Sequence, residues 1–189
     1  MGKKRKNPGK GSAFERDVCK ALSIWWTGDN RRDDVFWRTS GSGGRARRRS
    51  KSDRTTFGQH GDIQAVDPIG QPLLDVVTIE CKTGYPGQSI SDGLDKSVSG
   101  LTDYEKFIHQ AIEQSQNAGT KYWMLISRRI RKRTLVTIPL DLADKLGNRW
   151  QQECSPSMYM YEDSPISYMV TPFDVFLRVT SPRKFKDLS

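Results

Sequence analysis

The chain has 189 residues and a mass of 21.5 kDa, enough for one domain with a full hydrophobic core and too short to expect two. Its 31 Lys and Arg against 22 Asp and Glu give a net charge of +9 and a pI near 9.6, which favours a polyanionic partner, nucleic acid first. A hydrophobic content of 35% with 10% aromatic residues suits a packed domain rather than a disordered chain. No apolar run reaches the length of a membrane span, and the basic stretch Met1 to Lys10 is not followed by the apolar segment of a secretory signal. A cytoplasmic location is therefore expected, with no membrane partner. Cys19, Cys81 and Cys154 are odd in number and far apart, so they match neither a disulfide framework nor a zinc spacing and read as small core residues.

The basic excess is not spread evenly. Residues 1 to 56 hold 16 basic against 6 acidic residues, a charge of +10, while the remainder holds 15 against 16, a charge of −1. Residues 1–10 (MGKKRKNPGK) read as a flexible basic arm, and residues 11–189 as a single domain. In that domain Phe14, Val18, Ala21, Leu22 and Trp25 form the apolar stripe of an amphipathic helix over roughly Ala13 to Trp26. Asp34 to Arg38 reads as a short strand, followed by a Gly-, Ser- and Arg-rich segment whose basic loop, residues 43–57, is inserted in the domain. His60 to Val66 and Leu73 to Cys81 are β-rich runs around the turn Asp67 to Pro72, and predict an antiparallel hairpin. After a long Gly- and Ser-rich connection, Asp103 to Ala118 predicts a second helix ended by Gly119, and Lys121 to Ser127 a strand. Arg128 to Arg133 is a basic turn into the strand Thr134 to Ile138.

Val136 to Leu146 and Val170 to Val179 each read as strand, Pro, then helix, with the Pro in the first helical turn. Residues 150–189 are expected to extend the core or form a dimer contact, with strands at Met158 to Tyr161 and Tyr168 to Val170. The order α β β β α β, followed by further strand and helix, predicts an α/β fold of the α+β type, with a mixed sheet and helices packed on it.

The chemistry concentrates at Thr78-Ile79-Glu80-Cys81-Lys82, where strand alternation puts Glu80 and Lys82 on one face and Cys81 on the other. With Asp62 starting the partner strand, two carboxylates and an amine would meet at one sheet edge. Hard oxygen ligands of this kind suit Mg²⁺ or Mn²⁺. Simpler roles exist for each residue. Ser12-Ala13-Phe14-Glu15 is a capping box, Glu80 and Lys82 would make a solvent-facing pair, and Asp62 would close a His-Gly-Asp turn. Against this, Val76, Val77 and Ile79 make the strand look buried, where an unpaired carboxylate is costly and a metal would answer the cost. His60 and His109 read as structural. Gln110 and Gln114 lie on one helix, where a solvated face competes with a place near the metal.

In these residues the chain resembles the PD-(D/E)xK nuclease superfamily, with its restriction-endonuclease-like αβββαβ core. Glu15, Asp62 and Glu80-Cys81-Lys82 stand where that superfamily keeps its helix-borne Glu, its Asp and its E-x-K. It is most like the Holliday-junction resolvases of the archaeal and phage type, in which a helix opening similar to Gly11-Ser12-Ala13-Phe14-Glu15-Arg16 precedes an Arg and Ser loop similar to Arg38-Thr39-Ser40-Gly41. The resemblance implies a Mg²⁺-dependent DNA endonuclease, with Mn²⁺ able to substitute, cutting branched DNA in line to leave a 5′-phosphate and working as a homodimer. It implies metal ligation by Asp62, Glu80, the Cys81 carbonyl and Glu15, a water positioned by Lys82, and Ser40 near the scissile bond. Arg31, Arg32, Arg38, Arg45, Arg47, Arg48, Arg49, Lys51 and Arg54 are the expected DNA contacts, each neutralised phosphate adding salt-dependent affinity. Two alternatives stand beside this: a less selective phage or mobile-element DNA nuclease of restriction or processing type, and a non-catalytic nucleic-acid-binding protein on the same fold.

Overall fold

A computed structural model describes residues 10–39, 60–85, 89–93, 100–147, 155–161 and 164–189. Helix α1 (Lys10–Thr27) packs Phe14, Val18, Cys19, Leu22 and Trp26 into the core. It stops where Gly28 takes φ +70° and returns its N–H to the Ile24 carbonyl. Because α1 starts at Lys10, Ser12 falls inside its first turn and Glu15 a turn further on, so the expected capping box at Ser12 is not the start of this helix.

The chain then forms β1 (Phe36–Arg38), β2 (Ile63–Ala65), α2 (Gln71–Val76), β3 (Val77–Thr83), α3 (Asp103–Ala118) and β4 (Tyr122–Arg128). Apart from α2 this is the expected order, but the hairpin is a different one. β2 pairs antiparallel with β1, Trp37 facing Gln64, and not with the run from Leu73. Half of that run is helix. Pro68 opens a 3₁₀ turn that the Asp67 carboxylate caps at the Ile69 N–H, Pro72 follows at the start of α2, and Leu73 and Val76 bury one face of it. A short, mostly apolar run such as LLDVV cannot separate buried helix from buried strand by periodicity, and here the prolines decided it.

The second sheet has five strands in the order β3, β4, β5 (Thr134–Pro139), β7 (Ser164–Pro172), β6 (Ser155–Tyr161). β3 and β4 are parallel, joined by α3, and the remaining pairs are antiparallel. α3 begins on a capping box between Thr102 and Glu105 and ends at Gly119 with φ +70°. After β5 and after β7 the chain turns at Pro139 and Pro172 into α4 (Leu140–Leu146) and α5 (Phe173–Val179), each Pro standing just before the helix rather than in its first turn. A last short helix, α6 (Pro182–Lys186), follows.

Each face of the sheet has its own core. Val77, Ile79 and Cys81 of β3, with Tyr122, Met124 and Ile126 of β4, pack against α1, α2 and the C-terminal helices. Trp123 and Leu125 pack against Tyr104, Ile108 and Ala111 of α3. Tyr168 and Val170 of β7 join the second of these cores, while the C-terminal helices belong to the first. Phe173, Phe176 and Phe185 are buried there, the Trp25 indole stacks on Phe176 and Phe185 at 5.8 and 5.9 Å, and its N–H donates to the Thr180 carbonyl at 3.0 Å. This is a mixed α+β protein with a restriction-endonuclease-like core and strand and helix additions at its C-terminal end.

Candidate active site

β3 is an edge strand of the large sheet, and alternation along it presents Glu80 and Lys82 on the α3 side and Cys81 on the α1 side. The β1–β2 pair lies against that edge. The Asp62 N–H donates to the Ile79 carbonyl at 2.8 Å, and the Asp62 side chain accepts from the Cys81 N–H at 2.8 Å. Gly61 makes this approach possible. It has φ +74°, and a Cβ there would stand 2.7 Å from the Ile79 carbonyl oxygen. The Gln114 side-chain carbonyl accepts from the Gly61 N–H at 3.4 Å, and Thr39 bridges to the Gly61 carbonyl at 3.0 Å.

These elements enclose a cleft of about 210 Å³ lined by Glu15, Asp62, Glu80, Cys81, Lys82 and Gln110, with Phe14 and Tyr85 among the other walls. Glu80 is buried, and its Oε1 accepts from both the Lys82 ammonium and the Gln110 amide. Lys82 also lies 5.6 Å from the centre of the Phe107 ring, which stacks on Tyr85 at 5.2 Å. Asp62, only 5% exposed, pairs with no cation among the described residues. Burial first, and then the charge of Glu80, push its carboxyl up to about 7 against the opposing pull of the Cys81 N–H and Lys82. Glu15 reaches in from α1. Its Oε2 is buried without a hydrogen-bond partner among the described residues and lies 3.8 Å from the Arg38 guanidinium. Burial also drives the two core thiols upward, Cys19 to about 12 with help from Glu15, and Cys81 well above its ordinary value, so neither is a nucleophile.

The structure therefore brings Glu15, Asp62, Glu80, Cys81 and Lys82 together, with Arg38 touching Glu15. It does not bring Arg31 and Arg32. They follow the far end of α1, roughly 20 Å from Glu15 by helical rise. Arg31 is paired with Asp29, and Arg32 with Asp34 and Asp67. Ser40, Arg45, Arg47, Arg48, Arg49, Lys51, Arg54 and Cys154 lie outside the described residues. Gln110 and Gln114, which the sequence leaves open, have separate tasks: Gln110 holds Glu80, and Gln114 steadies the turn before Asp62. Their spacing from Phe107, at i+3 and i+7, is the signal that all three share one helix face. Neither histidine lines the cleft.

Among the described residues no group of three His, Cys, Asp or Glu side chains is gathered as a metal cage. The donors nevertheless suit a hard divalent ion. Asp62 and Glu80 are carboxylates buried within each other's field, the Glu15 Oε2 has no hydrogen-bond partner among the described residues, and Cys81, whose main-chain carbonyl could add a further oxygen, lines the same cleft.

A mixed sheet whose edge strand carries Glu-x-Lys beside an inserted Asp, with a helix-borne Glu across the cleft, defines a nuclease core of the restriction-endonuclease type. The model of one family, described as "Phage putative PDDEXK endonuclease", matches residues 6–187, and the chain belongs to that family and so to the PD-(D/E)xK superfamily. No curated protein and no solved structure matches the chain. Membership makes the protein a nuclease, with DNA as the substrate class and a divalent metal as the usual cofactor of its kind.

Proposed function

We propose that the protein is a Mg²⁺-dependent DNA endonuclease, with Mn²⁺ able to substitute, that hydrolyses phosphodiester bonds in branched DNA and acts as a cytoplasmic homodimer. The observation that carries the nuclease reading is the cleft in which Asp62, Glu80, Lys82 and Glu15 converge from three separate elements. Asp62, Glu80 and the Cys81 carbonyl would hold the ion, joined by Glu15. When bound there, the ion supplies a water of lowered pKa and positive charge against the scissile phosphate. Lys82 would hold that water in line with the phosphorus, its ammonium already fixed by Glu80 and by the face of Phe107. Gln110 keeps Glu80 oriented from α3, and Arg38 does the same for Glu15 from β1.

Branched DNA as substrate rests on the resemblance of the α1 opening and the Arg-Thr-Ser-Gly loop to resolvases. A less selective phage DNA nuclease is the second reading. Two observations favour it: the matching family is described by phage endonuclease activity alone, and Arg31 and Arg32 are engaged with neighbouring carboxylates.

Cleavage of a synthetic four-way junction and a matched linear duplex with Mg²⁺, by wild type and Glu80→Ala, separates the possibilities. Symmetric cutting of the junction by wild type alone is the expected result. Equal nicking by both proteins would end the catalytic assignment, and preference for the linear duplex would end the junction assignment while the nuclease stood. Salt-sensitive binding unaffected by EDTA, with no turnover, would identify a binding protein on a nuclease fold. A solution mass of a monomer would end the dimer.

A further inference from the structure

Beside the cleft lies a second cavity, of about 290 Å³, and Lys82 lines both. Arg128, Arg129, Lys132 and Arg133, from the end of β4 and the turn that leads into β5, also line it, and among the described residues no carboxylate does. Tyr104 and Leu135 add an apolar wall. The cavity thus combines a carbon surface with a rim of cationic heads.

The turn is built to present these cations. Arg131 takes φ +59° to reverse the chain, and the Lys132 N–H donates to the Arg129 carbonyl at 3.1 Å. That geometry sends Arg129 and Lys132 to the cavity, while Ile130 is 61% exposed and does not line it. Two of the cations are held from outside: Arg133 by both oxygens of Asp174 at 2.7 and 2.8 Å, and Arg128 by Asp17 at 3.6 Å and by the Phe14 ring at 4.6 Å. Arg129 and Lys132 have no acidic partner among the described residues. Their charge is available to an anion.

We infer that this cavity binds the nucleotide next to the scissile phosphate on the strand being cut, its phosphate on Arg129 and Lys132 and its sugar against Tyr104 and Leu135. The inference rests on the nuclease reading and adds the direction of the strand. Lys82 and Thr83 stand in register with Ser127 and Arg128, one strand spacing of roughly 4.8 Å away. A strand whose scissile phosphate sits at Lys82 therefore crosses the end of β4 and meets the turn within its next nucleotide.

The test is DNA affinity as a function of salt, in EDTA so that nothing is cut, for wild type and the double variant Arg129→Ala/Lys132→Ala. A control, Arg183→Ala/Lys184→Ala on α6, removes the same charge from two exposed residues on the α1 side of the sheet. The cavity variant is expected to bind about tenfold or more weakly, with its salt slope reduced by about 1 for the one phosphate no longer neutralised, and the control to match wild type. Each phosphate flanking the cleaved bond is then replaced in turn by an uncharged methylphosphonate. One replacement beside the cleaved bond should weaken wild type and cost the cavity variant nothing further.

Unchanged affinity and slope in the cavity variant, or a loss that adds equally to every replacement, would overturn the cavity assignment while leaving cleavage by wild type intact. Wild-type protein that neither binds nor cuts DNA would instead overturn the nuclease reading, and this inference with it.

Discussion

Asp62 gives the sharpest test of whether the cleft is shaped for a cation. In the protein without metal its carboxyl sits at about 7 rather than 3.8, because it is buried and faces Glu80. A carboxyl raised on folding binds its proton more tightly in the native state than in the unfolded chain. Stability is therefore unaffected below about pH 4, falls as pH rises from about 4 to 7, and levels off above that. Three pH units at 1.36 kcal/mol each give a ceiling of roughly 4 kcal/mol at pH 8, part of which relaxation away from Glu80 would relieve. Asp62→Asn keeps the shape and an oxygen for the Cys81 N–H but carries no charge. In EDTA it should be more stable than wild type at pH 8, by up to about 4 kcal/mol, and equal to it at pH 4. Mg²⁺ should reverse the order at pH 8, since only the wild type gains binding energy in the native state. Urea unfolding at the two pH values, with and without the ion, reads all four quantities. An Asn variant no more stable than wild type at pH 8 in EDTA would refute the claim that this carboxylate is held at a cost.

Other substitutions probe how the cleft is assembled. Lys82→Met leaves buried Glu80 without its cation and should destabilise by about 3 kcal/mol, measured by denaturant unfolding, besides abolishing cleavage. Gly61→Ala combines a left-handed backbone with a Cβ 2.7 Å from the Ile79 oxygen, so it should cost about 2 kcal/mol or more and displace Asp62. Gly119→Ala, at φ +70° with open space around it, should cost about 1 kcal/mol and leave cleavage unchanged, which separates strain from displacement. Phe176→Ala should lower stability by about 3 to 5 kcal/mol in the same assay, because the C-terminal helices complete the core that α1 begins.

Much of this was legible in the residues, for reasons particular to each. α3 could be read to the residue because its periodic stripe and its terminal Gly119 agreed, and the Thr102 cap then fell just before it. The two strand-Pro-helix units were legible because proline both ends a strand and opens a helix. The face shared by Glu80 and Lys82 followed from strand alternation alone. The partner of β2 did not. Two short apolar runs around a Pro and Gly turn look like a hairpin, and nothing local shows that the first run pairs instead with β1 across a long insertion. Asp62 reached its expected neighbours by another route, through the close approach that Gly61 permits. The tasks of Gln110 and Gln114 were hidden because they depend on which helix face meets β3, and the two side chains are alike in chemistry.

The distribution of charge acquires a more specific meaning from this geometry. By composition the basic excess belonged to the first third of the chain, and the remainder was nearly neutral. Yet the described part of that first third has its cations largely committed: Lys20 to Asp33, Arg31 to Asp29, Arg32 to Asp34 and Asp67, Arg38 to Glu15. Among the described residues, the cations without a carboxylate partner in the cavity beside the cleft come from the near-neutral remainder, at Arg129 and Lys132. Net charge of a segment measures how strongly it draws DNA from a distance, where fields add. Grip near the scissile bond depends on single cations left unpaired within reach of it, and a segment can supply those while its total stays close to zero.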